Sequence, residues 1–112
     1  MLYNLKNDYL SVSISDIGAE IMSVKSFDNT EFIWQGSPNF WKDRAINLFP
    51  VVGRLYGGYY IYKGQKYEMD IHGFIKSCAF KASVSQNKAE FVYVSDYDIK
   101  KIYPFDFEYK IN

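Results

Sequence analysis

The opening third of the chain alternates with a period of two. Between Tyr9 and Ile14 the apolar Leu10, Val12 and Ile14 are interleaved with Tyr9, Ser11 and Ser13, which predicts a half-buried strand. A second strand is expected from Glu20 to Phe27. The turn chemistry of Asp28-Asn29 follows, and "EFIW" (Glu31 to Trp34) reads as the hairpin partner, giving a β-meander. Ser37 and Pro38 suit an N-cap and a first helical position, so a single helical turn is expected over Asn39 to Lys42.

Further along, Asn47 to Leu55 ("NLFPVVGRL") reads as an apolar, buried strand with a charged residue near its end. Two hairpins follow: Tyr59 to Tyr62 with Lys66 to Met69, joined around Gly64, and "AFKASVS" with "AEFVYVS", turning at Gln86-Asn87. Pro104 breaks the pattern. Beyond it Phe105, Phe107, Tyr109 and Ile111 alternate with Asp106, Glu108 and Lys110, an amphipathic strand at the end of the sequence. No helix-period segment, repeat or linker interrupts these elements, so the prediction is an all-β fold of antiparallel hairpins. A final strand with one apolar face calls for a covering neighbour, and nothing later in the sequence supplies one. This reads as an unfinished edge, through which homo-oligomers could form.

Composition supports folding and narrows the partners. At 112 residues one core is the limit, because a domain of this size buries only about two thirds of its unfolded surface. Hydrophobic residues make up 48% and aromatics 20%, far too apolar for a disordered chain. Thirteen Lys and Arg balance thirteen Asp and Glu, leaving no basic stripe for nucleic acid. No apolar run approaches the roughly 18 residues of a membrane span, and the N-terminus lacks a signal-like apolar stretch. Cys78 is alone and reads as a buried thiol; cytoplasm is the expected compartment.

Two residues stand out chemically. Arg54 closes the apolar run, where a guanidinium is costly unless it is paired or solvated. The bland alternative is a surface arginine at a strand end. His72, in "DIHGF", is the sole histidine; a lone histidine in a β protein is more often structural than functional. Gly73 beside it would allow close approach of backbone or ligand, and Asp70, two residues away, could orient the ring or be solvated. Trp34, Trp41 and the tyrosines could stack on a sugar, although such aromatics are more often core. One His and one Cys give no metal cluster and no Cys-His nucleophile pair, and no phosphate-cradling glycine motif is present, so no cofactor is expected.

The ordered set "EFIWQGSPNFW", "NLFPVVGRLYGGYYIYKGQKYEMDIHGF" and "YPFDFEYKI" resembles the N-terminal part of the aldose 1-epimerase (galactose mutarotase) family, in particular a bacterial branch with "LFPxVGRL" and "HGF" motifs. The resemblance covers nearly the whole chain. It implies an antiparallel β-sandwich of the supersandwich type, with residues 1–112 a single N-terminal fragment of that domain. It also implies a monosaccharide (aldose) substrate and interconversion of its α and β anomers by general acid-base catalysis, an isomerase activity. Carried over, Arg54 matches the arginine that donates to sugar hydroxyls, and His72 matches the first active-site histidine near the ring oxygen. A second histidine, the general acid, and a glutamate, the general base, lie in similar proteins beyond the equivalent of Asn112. The 112 residues alone are therefore expected to be inactive. The alternatives are a non-catalytic carbohydrate-binding module and a structural β domain that oligomerises.

Overall fold

The Asn7 side chain shows how local chemistry sets the first turn. Its Oδ1 accepts from the Tyr9 and Leu10 amides at 2.9 and 2.8 Å, an Asx turn that reverses the chain between two strands. In the computed structural model, which describes residues 1–112, these are β1 (Leu2–Lys6) and β2 (Leu10–Ser15). They are followed by β3 (Ile21–Ser26), β4 (Tyr59–Tyr62), β5 (Gln65–Glu68), β6 (Lys81–Val84), β7 (Ala89–Val94) and β8 (Glu108–Ile111). Single 3-10 turns lie at Tyr56–Gly58, Ile75–Ser77 and Ile99–Lys101. The fold is all-β, and the strands form three antiparallel sheets in the orders β1-β2-β3, β4-β5 and β6-β7-β8.

The two hairpins expected beyond Tyr59 are present, as β4-β5 and β6-β7. Lys63 and Gly64 both adopt positive φ (49° and 77°) between β4 and β5, the left-handed pair that suits a two-residue turn. Leu2–Lys6 adds a strand that the sequence reading did not predict, and the structure differs from expectation in three further places, each for a visible reason. Glu31 to Trp34 is not a strand: only the single bridge Lys25↔Glu31 forms. The Glu31 carboxylate folds back instead, accepting from the Val24 and Ile33 amides, both at 2.9 Å, and from the Ser23 hydroxyl. A side chain thus takes the amides that a ladder would have used.

Residues 39 to 42 form no helical turn. A β-turn closes from Phe40 N to Ser37 O at 3.1 Å, and the Trp41 carbonyl accepts from both Ser37 N (2.9 Å) and the Trp34 indole (2.7 Å), leaving no helical register. Asn47 to Leu55 is not a strand either. Pro50 has no amide to donate, Gly53 sits at φ 80°, and one parallel bridge, Phe49↔Gly73, is all that remains of sheet pairing. The Phe49–Pro50 peptide is cis.

The core centres on that bridge. The Phe49 ring meets Phe74, Tyr103, Phe107 and Tyr109 at centroid distances of 5.9, 5.8, 5.1 and 5.1 Å. Ile75 and Phe91 are the most deeply buried side chains, and Cys78 is buried as the sequence suggests, its thiol pushed up by burial. Tyr93 is pushed up too, first by burial and then by its hydrogen bond to Asp96. The apolar side of β8 is covered from within the chain, since Tyr109 packs on Phe49 and Phe80. The outer edge of β8 pairs with no strand.

Only ten of 112 residues are buried, and the molecule is a plate measuring 55 × 34 × 17 Å. Its radius of gyration, 16.3 Å, exceeds the roughly 13 Å expected of a compact domain of this length, so the chain spreads its core rather than enclosing it.

Two predictions follow from these contacts. Hydrogen bonds to its carboxylate, that of Ser23 foremost, hold Glu31 down at about 2 from an ordinary 4.5. A depressed carboxylate stabilises the fold fully above its unfolded value and loses that contribution as pH falls through its folded value. The difference in urea midpoint between wild type and Glu31→Gln should therefore be widest above pH 4.5 and close as pH falls toward 2. Secondly, a Cβ on Gly73 would lie 2.0 Å from the Phe49 carbonyl oxygen, whereas one on Gly53 would meet nothing within 4 Å. Gly53→Ala should cost only the left-handed backbone strain of about 1–2 kcal/mol. Gly73→Ala should cost more than about 3 kcal/mol, because backbone must move; denaturant titration of the pair distinguishes them.

Candidate active site

A turn closed by Gly73 N donating to Asp70 O at 3.0 Å carries His72, whose own φ is 63°. Left-handed backbone at a non-glycine residue is uncommon and marks a position held by its surroundings. Here the holding groups belong to Gly53. His72 N donates to Gly53 O at 2.8 Å, and Gly53 N donates to His72 Nδ1 at 2.9 Å, so one residue grips both the backbone and the ring of the other.

This reciprocal pair brings the two sequence-singled segments together, although not as neighbouring strands. His72 is half-buried and lines an open cleft of about 940 Å³ together with Glu20, Phe40, Trp41, Asp70 and Lys76. Arg54 does not line the cleft. It is exposed on the loop immediately after Gly53, and its guanidinium makes neither an ion pair nor a hydrogen bond within the protein. Its charge reaches Asp70 as the weakest of the influences that lower that carboxylate. The expected buried strand end is thus replaced by a solvated loop, which removes the desolvation cost of the guanidinium.

Asp70 does not orient the imidazole. Its Oδ1 accepts from the Ile71 amide at 2.8 Å and its Oδ2 faces Lys76 Nζ at 3.2 Å. The Lys76 ammonium, the Ile71 amide and the Lys76 charge hold it below the usual carboxylate range. Lys76 Nζ also donates to Ile71 O at 2.6 Å, so this pair rigidifies the turn beneath the histidine. Asp70 and His72 share no strand face, because both lie in a turn.

The cleft's aromatic wall comes from the 37–44 loop. Phe40 and Trp41 are 84% and 52% exposed and Trp34 is 51% exposed, so neither tryptophan belongs to the core. The tyrosines divide differently: Tyr93 is buried, and Tyr60, Tyr103 and Tyr109 pack partly buried against the core cluster. Sequence spacing could not have placed Phe40 or Glu20 at the cleft, since the first sits in a loop read as helix and the second is engaged through Oε1 with the Arg44 and Ala45 amides. A second cleft, of about 750 Å³, lies between the first and last sheets and is lined by groups such as Leu5, Ile14, Phe91 and Ile111; it contains neither Arg54 nor His72.

Comparison with known proteins gives the family and the fold of the chain. The family described as aldose 1-epimerase matches residues 1–112. The protein LacX, plasmid, of Lactococcus lactis subsp. lactis is 30% identical over 117 residues, covering 99% of this chain and 39% of that protein. Among solved structures, a galactose mutarotase related enzyme from Lactobacillus acidophilus superposes with a TM-score of 0.95 at 40% identity, covering 98% of this chain and 37% of the other. A galactose mutarotase-like protein from Lactobacillus casei ATCC 334 does so with a TM-score of 0.93 at 28% identity, covering 98% and 38%. The chain thus spans about two fifths of the length of these relatives. No helix is long and apolar enough to cross a membrane. With a match that runs from Met1 to Asn112 and folds that superpose over nearly every residue, the chain belongs to the aldose 1-epimerase family.

Proposed function

We propose that these 112 residues are the N-terminal part of a larger β-sandwich that interconverts the α and β anomers of an aldose, and that they contribute half of its sugar site. In that reaction a base removes the anomeric hydroxyl proton while an acid protonates the ring oxygen. The ring opens, the C1–C2 bond rotates, and closure on the other carbonyl face returns both protons. His72 acts at the ring oxygen, and Arg54 holds sugar hydroxyls through its multiple donors. The general acid and base come from the portion of the protein that follows Asn112 in its relatives.

The observation that supports this reading best is the Gly53–His72 pair. It sets the imidazole at an open cleft, and Arg54, the residue after Gly53, has a guanidinium unengaged by the protein although it does not itself line that cleft. Trp41, half-exposed at the same cleft, offers an aromatic face to the apolar side of a pyranose. The plate-like shape and coverage of two fifths of the relatives favour a portion of a domain over a closed one. Asp70, already engaged and held ionised, is a poor candidate for the missing base.

The test is exchange between anomers, followed by NMR on galactose and glucose. The full-length protein should accelerate exchange and residues 1–112 alone should not; no acceleration by the full-length protein would remove the proposal. In the full-length protein Arg54→Ala should weaken sugar affinity by roughly 10- to 100-fold, the loss of one charge-assisted hydrogen bond of about 1.5–3 kcal/mol, with the melting temperature unchanged. Unchanged affinity would place Arg54 outside the site.

A further inference from the structure

We infer that Gly53 is a positioning residue that fixes the tautomer of His72, so that the histidine presents a hydrogen-bond donor, Nε2–H, to the cleft and no acceptor. The identity of the ligand rests on the function proposed above; the tautomer does not.

The geometry is reciprocal. The Gly53 amide donates to Nδ1 at 2.9 Å, which occupies that nitrogen's lone pair. A neutral imidazole has one donor and one acceptor nitrogen, so its proton sits on Nε2. Nε2 has no partner in the protein, and no buried side-chain nitrogen or oxygen lacks one, so Nε2 is open to solvent, and the residue that carries it lines the cleft. The return bond, His72 N to Gly53 O at 2.8 Å, holds the two backbones together and so keeps Nδ1 within reach of the Gly53 amide.

The arrangement is the reverse of a catalytic base. Where a carboxylate stands behind an imidazole it accepts from Nδ1–H and leaves Nε2 free to take a proton. Here an N–H stands behind the ring. The carboxylate nearest in sequence, Asp70, is turned to Ile71 and Lys76. Nε2 therefore cannot receive the anomeric proton, because it already carries one. Nor does it readily give that proton away, since a neutral ring would become an imidazolate. What it can do is hold an acceptor oxygen in place and draw charge toward it. For an aldose that acceptor is the ring oxygen or an adjacent hydroxyl, and full proton transfer belongs to a different residue.

Because the Gly53 donor is a backbone amide, the decisive measurement is spectroscopic. In the full-length, nitrogen-labelled protein at mildly alkaline pH, a scalar coupling across the hydrogen bond should link the Gly53 amide nitrogen to His72 Nδ1, with the ring proton on Nε2. A proton on Nδ1, or absence of the coupling, would overturn the inference. His72→Asn places an amide oxygen near the Nδ1 position and tolerates left-handed backbone, so the Gly53 contact should persist while the donor is lost. Sugar affinity should then fall about tenfold, the equivalent of one net hydrogen bond; an unchanged affinity would overturn the donor role. If anomer exchange is absent but the coupling and Nε2–H are found, the proposed reaction fails and the tautomer assignment stands.

Discussion

The contact on which this molecule depends is the approach of two backbones at Phe49 and Gly73. The Phe49 carbonyl accepts from the Phe74 and Ile75 amides at 2.9 and 3.3 Å, and the space beside it is too small for any side chain at position 73. That single junction points in two directions. On one side it seats Phe49 and Phe74 among Tyr103, Phe107 and Tyr109, joining the middle of the chain to its last strand. On the other it brings Gly53 within reach of His72, forming the edge of the cleft. Core and candidate site are therefore two faces of one piece of irregular backbone.

That coupling explains why so flat a protein can hold a chemically specific arrangement. Few residues are fully buried, so rigidity at the cleft cannot come from depth of packing alone. It comes from polar closure: Asp70 and Lys76 brace the turn, Gly53 grips the imidazole, and Asn47 donates to the carbonyls of Gly18 and Ala19 at 2.8 and 3.1 Å. Each of these satisfies backbone groups that no sheet ladder reaches. Functional groups on loops need such support from a scaffold. Here much of the scaffold is itself loop, pinned by side chains.

The charged groups near the histidine divide by task. Lys76 and Asp70 are spent on each other and on the backbone, whereas the Arg54 guanidinium and His72 Nε2 have no partner within the protein. Two donors of different character, one planar and charged, one a single N–H, suit a ligand rich in acceptor oxygens. In the proposed function that ligand is a sugar.

The strands β2 to β8 were legible, and β1 was not, because alternation of apolar and polar residues is a local code: Leu10, Val12 and Ile14, or Phe107, Tyr109 and Ile111, face the same way whatever lies opposite. The motifs around Arg54 and His72 likewise carried the family, since a resemblance needs only order and spacing. The sequence could not show that Glu31 would spend its carboxylate on the amides of a missing hairpin, or that "LFPVVGR" would be a loop rather than a strand. Nor could it show that the group orienting His72 would be a backbone amide nineteen residues away instead of Asp70. Those outcomes turn on which hydrogen-bonding groups meet once distant segments pack. Side-chain identity alone marked seven of the eight strands and singled out the residues proposed to bear chemistry. Only the tertiary fold decided which donor faces which acceptor, because backbone amides are the same at every position and acquire meaning solely from what is brought against them.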